Sequence, residues 1–212
     1  MANKKFDPGV NITTPAGTLK FPWLQKPQEN PFGKGYIYNC ELLLTPEEAA
    51  PLIEQLEGLY KQNLQKQAIL NNVEKIKGSD TKPWREDVDW KSKEPTGLIA
   101  FKFKSPSMRG DYEFKPKLFE ANGLPFGYTR NAEGTIEPPT RVPAIGMGTI
   151  AKISTNARGY YKNSKAGITL SLEAVQVIKL REAGRNTADA FGFKQEDVPQ
   201  DDGTQDETDG RF

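Results

Sequence analysis

The sequence predicts a mostly β fold: a small, partly open five-stranded barrel with one helical insertion and a disordered acidic tail. Three observations carry this expectation. Short apolar runs with period-two alternation recur along the chain, separated by Gly- and Pro-rich stretches. One longer segment with helical spacing interrupts them after Thr45. Residues 195–212 hold seven acids and one base with few apolar groups, a composition that cannot bury enough surface to fold.

Taken in order, residues 1–20 carry Lys4, Lys5 and Lys20 among the turn formers Pro8, Gly9, Pro15 and Gly17, and read as a flexible basic arm. An ordered domain is expected over 21–182, opening on Phe21-Pro22-Trp23-Leu24 and followed by a loop over Lys26–Gly35. Tyr36–Leu44 reads as a strand with Tyr36, Tyr38, Cys40 and Leu42 on one face. Thr45-Pro46-Glu47-Glu48 is a helix start, with threonine at the N-cap, proline at the first helical position and Glu48 completing a capping box. Ala49, Leu52, Ile53, Leu56, Leu59, Tyr60 and Leu64 follow at helical spacing, so the insertion spans about 46–77. Gly58 and the polar Lys61–Gln67 stretch are points where it can break in two.

Ser79–Pro95 reads as a polar connector carrying Trp84, Arg85 and Trp90, tryptophans suited either to stacking on bases or to plugging a barrel end. Gly97–Ser105 is a strand in which Phe101 and Phe103 share one face and Lys102 and Lys104 the other. That pattern admits two readings, a half-buried strand with its rings in the core or a stacking surface lined with cations. Asp111–Lys115 is a further strand, limited by Pro116, and Leu124–Pro139 a long loop or ribbon. Val142–Ser154 is a strand entered through Gly146 and Gly148, which suit a barrel corner. Asn156–Ala166 is a hairpin, and Gly167–Leu180 the last strand. Residues 183–212 are linker and acidic tail. Several short strands, one inserted helix and long decorated loops together point to an OB-fold-like Greek-key barrel.

Net charge is +1 but unevenly placed. Removing the seven acids and one base of 195–212 leaves 28 bases and 21 acids, so residues 1–194 carry +7 and the tail −6. A basic body suits a polyanionic partner, and an acidic tail competes for the same surface. Histidine is absent and Cys40 is the single cysteine, which excludes Ser-His and Cys-His catalysis, His-liganded metals and intrachain disulfides. No phosphate-binding G-x-x-x-x-G-K-[ST] pattern occurs. No cofactor or metal is expected. No apolar run reaches membrane-spanning length and no signal-peptide core opens the chain, so a cytoplasmic protein is expected. Asp87 and Asp89, two apart, are the best carboxylate pair for a metal-dependent nuclease or resolvase, one rival reading. A structural protein whose acidic tail binds a basic partner is another.

The binding inventory is richer. Aromatic and basic residues interleave at Tyr36 and Tyr38, at Lys102 and Lys104, from Arg109 onward, and at Lys152, Arg158, Tyr160, Tyr161 and Lys162. Rings stack on bases of any sequence and cations hold phosphates, the combination that takes up single strands. No catalytic residue is expected.

The chain resembles the single-stranded DNA-binding proteins of short-tailed bacteriophages. The likeness rests on Gly17-Thr18 leading to Lys26-Pro27, Phe101-Lys-Phe-Lys104, Val142-Pro-Ala-Ile-Gly-Met-Gly148, Tyr160, Leu170-Ser-Leu-Glu-Ala-Val175 and an acidic tail with a final Phe212. Where the family pattern has a tryptophan two residues after the Tyr160 position, this chain has Lys162. The resemblance implies sequence-independent binding of single-stranded DNA in phage DNA replication, recombination and repair, strand annealing, and a homodimer in the infected host cell. It also implies that the tail, through Asp206, Glu207, Asp209 and Phe212, recruits the phage DNA polymerase and helicase-primase. Lys102, Lys104 and Tyr160 are implied to lie near DNA.

Overall fold

Alternating apolar and polar residues let a strand bury one face and wet the other, and the long strands here follow that rule around a shared interior. The computed structural model describes residues 8–31 and 33–183. Strands β1 (Val10–Thr13), β2 (Gly17–Glu29) and β3 (Tyr36–Leu44) lead into α1 (Pro46–Leu70). Next come β4 (Lys77–Gly78), β5 (Trp84–Val88) and β6 (Pro95–Pro106), then the short β7 (Met108–Arg109), β8 (Tyr112–Glu113), β9 (Lys117–Phe119), β10 (Thr129–Arg130) and β11 (Ile136–Glu137). A long hairpin of β12 (Ile150–Lys162) and β13 (Lys165–Lys179) follows.

The five long strands pair in the ring β2–β3–β6–β13–β12 and back to β2. In chain order this is first, second, third, fifth, fourth, a Greek-key circuit of the kind expected. The ring is not a clean barrel. β6 meets β13 at one parallel pair, Ser171 with Lys104, and β12 meets β2 only at Ile150–Thr18 and Ala151–Gly17. Leu19, Leu24, Tyr38, Cys40, Leu42, Phe101, Phe103, Ile153, Leu170, Leu172 and Val175 fill the interior. Each such side chain contributes about 1.5–3 kcal/mol by leaving water. The two readings of Gly97–Ser105 are thereby resolved: Phe101 and Phe103 are core, while Lys102 and Lys104 are exposed.

Helix α1 begins as its sequence dictates. The Glu48 amide donates to the Thr45 hydroxyl and the Thr45 amide donates to the Glu48 carboxylate. Ala49, Leu52, Leu56 and Asn63 form its buried stripe. Asn63 fastens it to the final hairpin, its amide donating to the carbonyls of Tyr160 and Gly167 at 3.0 and 2.8 Å. Gly159 permits this approach, because a Cβ there would lie 2.4 Å from the Asn63 side chain.

Several boundaries differ from expectation. Residues 10–13 and 17–20 are not arm but strand, because β1 finds an antiparallel partner in β12 and β2 one in β3. The expected Lys26–Gly35 loop shrinks, as β2 runs on to Glu29. The helix is unbroken at Gly58 and stops at Leu70 rather than near 77, where Asn71 caps it and Asn72 turns to φ 51°. The 79–95 connector contains β5, which pairs with β6. In each case a partner distant in sequence overrides local propensity.

Candidate nucleic-acid interface

A regular strand sets residues an odd number apart on opposite faces. In β2, Lys20 pairs with Glu41 and Trp23 with Asn39, although Glu41 and Asn39 are two apart on β3 and share a face. One extra residue on β2 accounts for this, a β-bulge at Phe21–Pro22. Phe21 holds φ 51°, a left-handed backbone uncommon for an aromatic residue. The bulge places Lys20 and Trp23 on the same outer face of the ring, and leaves the residues Phe21 and Trp23 47% and 46% exposed. A proline inside a strand is a usual companion of such a bulge.

Pairing registers then define two rows across the outer face. The first runs Trp23, Asn39, Lys104, Ser171. It continues to Arg158 on β12, whose guanidinium donates to the Ser171 hydroxyl at 3.0 Å. The second runs Lys20, Glu41, Lys102. Here β5, paired beside β6, sends charged side chains across the face that close a network. The Lys20 ammonium meets Asp87 at 2.6 Å, Arg85 donates twice to Glu41 at 2.8 and 2.9 Å, and Arg85 lies 3.8 Å from Asp87. Two cations and two carboxylates balance within this network, and Lys102, the third cation of the row, is exposed beside it.

The expected site residues divide accordingly. Lys104 and Arg158 belong to the first row, and Lys102 is exposed at the end of the second. Tyr36 is exposed at the start of β3, opposite Glu29. Tyr38 is a correction: it is 1% exposed, with its ring edge-on to Phe114, because it points inward with Cys40 and Leu42, so its face is closed to a base. Arg109 is held by both Glu173 oxygens at 3.1 and 2.8 Å, and its guanidinium lies 3.6 Å from the Phe114 ring centroid. Lys152 is exposed on β12, opposite Gln176. The Tyr160 hydroxyl bonds Ser79 at 2.9 Å and its ring covers Gly167, where a Cβ would clash at 2.4 Å. Tyr161 and Lys162 are exposed near the hairpin tip. Asp206, Glu207, Asp209 and Phe212 lie outside the described residues.

The carboxylates proposed for a metal have protein partners. Asp87 binds Lys20 and accepts from the Thr96 hydroxyl, while Asp89 accepts from the Lys91 and Ser92 amides at 2.9 Å. Those two amides hold the Asp89 carboxyl below its usual range. Among the described residues no group of three or more His, Cys, Asp or Glu is placed to share a metal. Burial pushes the Cys40 thiol far up, with Glu41 adding to the shift, so the thiol stays protonated inside the ring.

With this geometry established, comparison with known folds is informative. No family model and no curated protein sequence matches the chain. Solved structures do. Gp2.5, a single-stranded DNA-binding protein encoded by bacteriophage T7, is 18% identical, with a TM-score of 0.60 over 90% of this chain and 98% of that one. The single-stranded DNA-binding protein from bacteriophage Enc34, in complex with single-stranded DNA, is 14% identical, with a TM-score of 0.54 over 84% and 94% of the two chains. Its C-terminal truncation matches at 0.55 and 16% identity, over the same shares of the two chains. The fold is that of phage single-stranded DNA-binding proteins. That agrees with the resemblance drawn from the motifs.

Trp23, Phe21 and Asn39 are the outer-face residues that sequence reasoning missed. A signal was present for the first two: Phe21-Pro22-Trp23 interrupts a strand with a proline between rings. Asn39 gave none, since an isolated asparagine between Tyr38 and Cys40 does not reveal its face until the register is known.

Proposed function

We propose that this chain binds single-stranded DNA without sequence preference, through the outer face of the ring. The observation that supports it most is the first row: an exposed tryptophan, two cations and small polar groups, on a fold shared with phage proteins that bind single strands. A strand crossing that row would stack a base on Trp23 and set phosphates at Lys104 and Arg158, with Lys102, Lys152 and Lys162 adding charge at its margins. A duplex hides its base faces, so exposed rings favour single strands.

The finer roles rest on the motif resemblance. They are phage DNA replication, recombination and repair, strand annealing, a homodimeric state, and recruitment of phage DNA polymerase and helicase-primase by the acidic segment 195–212. That segment, at −6, complements a +7 body and would compete with DNA for the basic face.

Titration of fluorescent oligo(dT) at several salt concentrations tests the reading. If about four phosphates are held, affinity falls about fiftyfold between roughly 50 and 200 mM salt. Removing residues 195–212 should tighten binding. Absence of binding at low salt, or binding indifferent to salt, would contradict the proposal.

A further inference from the structure

A polar group taken out of water is normally paired, because burying it alone is unfavourable. Asn39 departs from this rule. It is 8% exposed, and its amide nitrogen has no hydrogen-bond partner among the described residues. Its position makes the departure informative. Asn39 sits in the middle of the first row, paired with Trp23 on one side and Lys104 on the other. Neighbouring strands lie about 4.8 Å apart, so an exposed ring, a buried donor and an exposed ammonium succeed one another across roughly 10 Å of sheet.

We infer that Trp23, Asn39 and Lys104 form one nucleotide subsite, in which the Asn39 amide donates to an acceptor on the edge of the base stacked on Trp23. This rests on the single-strand reading above and deepens it. The three groups match the three parts of a nucleotide contact: the ring takes the base face, the amide its edge, and the ammonium the phosphate. A base edge, rather than a phosphate, suits Asn39 because it adjoins the ring while Lys104 already supplies the phosphate charge. Every base offers at least one acceptor, so the contact is compatible with binding any sequence. The orphaned donor costs stability in the unbound protein and returns it on binding.

Binding of the full-length protein to labelled oligo(dT), and to an abasic oligonucleotide of equal length, tests this when combined with thermal unfolding. Asn39→Leu removes the donor and keeps the bulk. It is expected to weaken oligo(dT) binding about threefold to tenfold, as the loss of one hydrogen bond does. It should leave abasic binding unchanged and Tm equal or higher, because an unpaired buried group is gone. Asn39→Ala should show the same split between the two oligonucleotides. Equal oligo(dT) affinity in wild type and Asn39→Leu would overturn the subsite and leave the single-strand reading standing. Equal losses on both oligonucleotides would place the donor on phosphate and overturn the base-edge contact. A fall in Tm in both variants would show that Asn39 is paired within the fold, and would also overturn it. Failure of the wild-type chain to bind either oligonucleotide would overturn the reading and the subsite together.

Discussion

The two rows on the outer face of the ring are built from the same strands and lie two residues apart along β3, yet they differ in kind. The Lys20–Glu41–Lys102 row receives charged partners from β5, the strand beside β6: Lys20 is matched by Asp87 and Glu41 by Arg85. The Trp23–Asn39–Lys104 row receives no such partners, and Lys104 stands exposed without an ion pair among the described residues. One row fastens the fold; the other is open to a ligand. The difference teaches that a lysine on a strand face is a phosphate contact only if no other element has already brought it a carboxylate.

The strongest way to break the comparison is Asp87→Ala. The Lys20 side chain is 11% exposed and Asp87 2%, so the variant leaves a largely buried ammonium without its carboxylate. Removing one partner of a buried pair destabilises by about 3 kcal/mol or more, readable as a lower urea midpoint. Oligo(dT) affinity of the folded fraction should stay as in wild type. A large loss of affinity with unchanged stability would reverse the assignment of the two rows.

A gentler pair of substitutions sharpens it. Lys104→Ala should leave stability within about 0.5 kcal/mol. It should flatten the slope of log affinity against log salt by about 0.7, the share of one phosphate on a single strand. Arg85→Ala should do the opposite. Its half-exposed pair with Glu41 contributes at most about 1 kcal/mol to stability, and the salt slope should not move. Identical slopes in the two variants would mean that the rows do not differ toward DNA.

The contrast also marks what was legible in the sequence. Alternation gave the strands around Phe101–Lys104 and Ile150–Ser154, and the Thr45–Glu48 box gave the helix start, because those signals are local. Lys104 was recognisable as an outward cation for the same reason, whereas Arg158 was expected in a hairpin and lies inside β12. Tyr38 was misplaced, since period two tells which residues share a face but not whether that face looks inward. β5 was read as connector because its pairing with β6 is tertiary, and the network that pairs Lys20 and Glu41 came with it. Trp23 and Asn39 share a face only through the bulge at Phe21, which shifts parity by one residue. A single-residue register change moves every side chain beyond it, and nothing local to Asn39 announces it.

Tryptophan fluorescence tests the central claim most directly, because the chain has three tryptophans in distinct settings. Trp23 lies in the open row, Trp84 is half-buried against the core, and Trp90 is exposed beside Lys91. Oligo(dT) should quench the emission of the wild-type protein. Trp23→Phe should abolish most of that quenching, whereas Trp90→Phe should preserve it. Quenching that survives Trp23→Phe and disappears with Trp90→Phe would put the single strand on another surface and contradict the account.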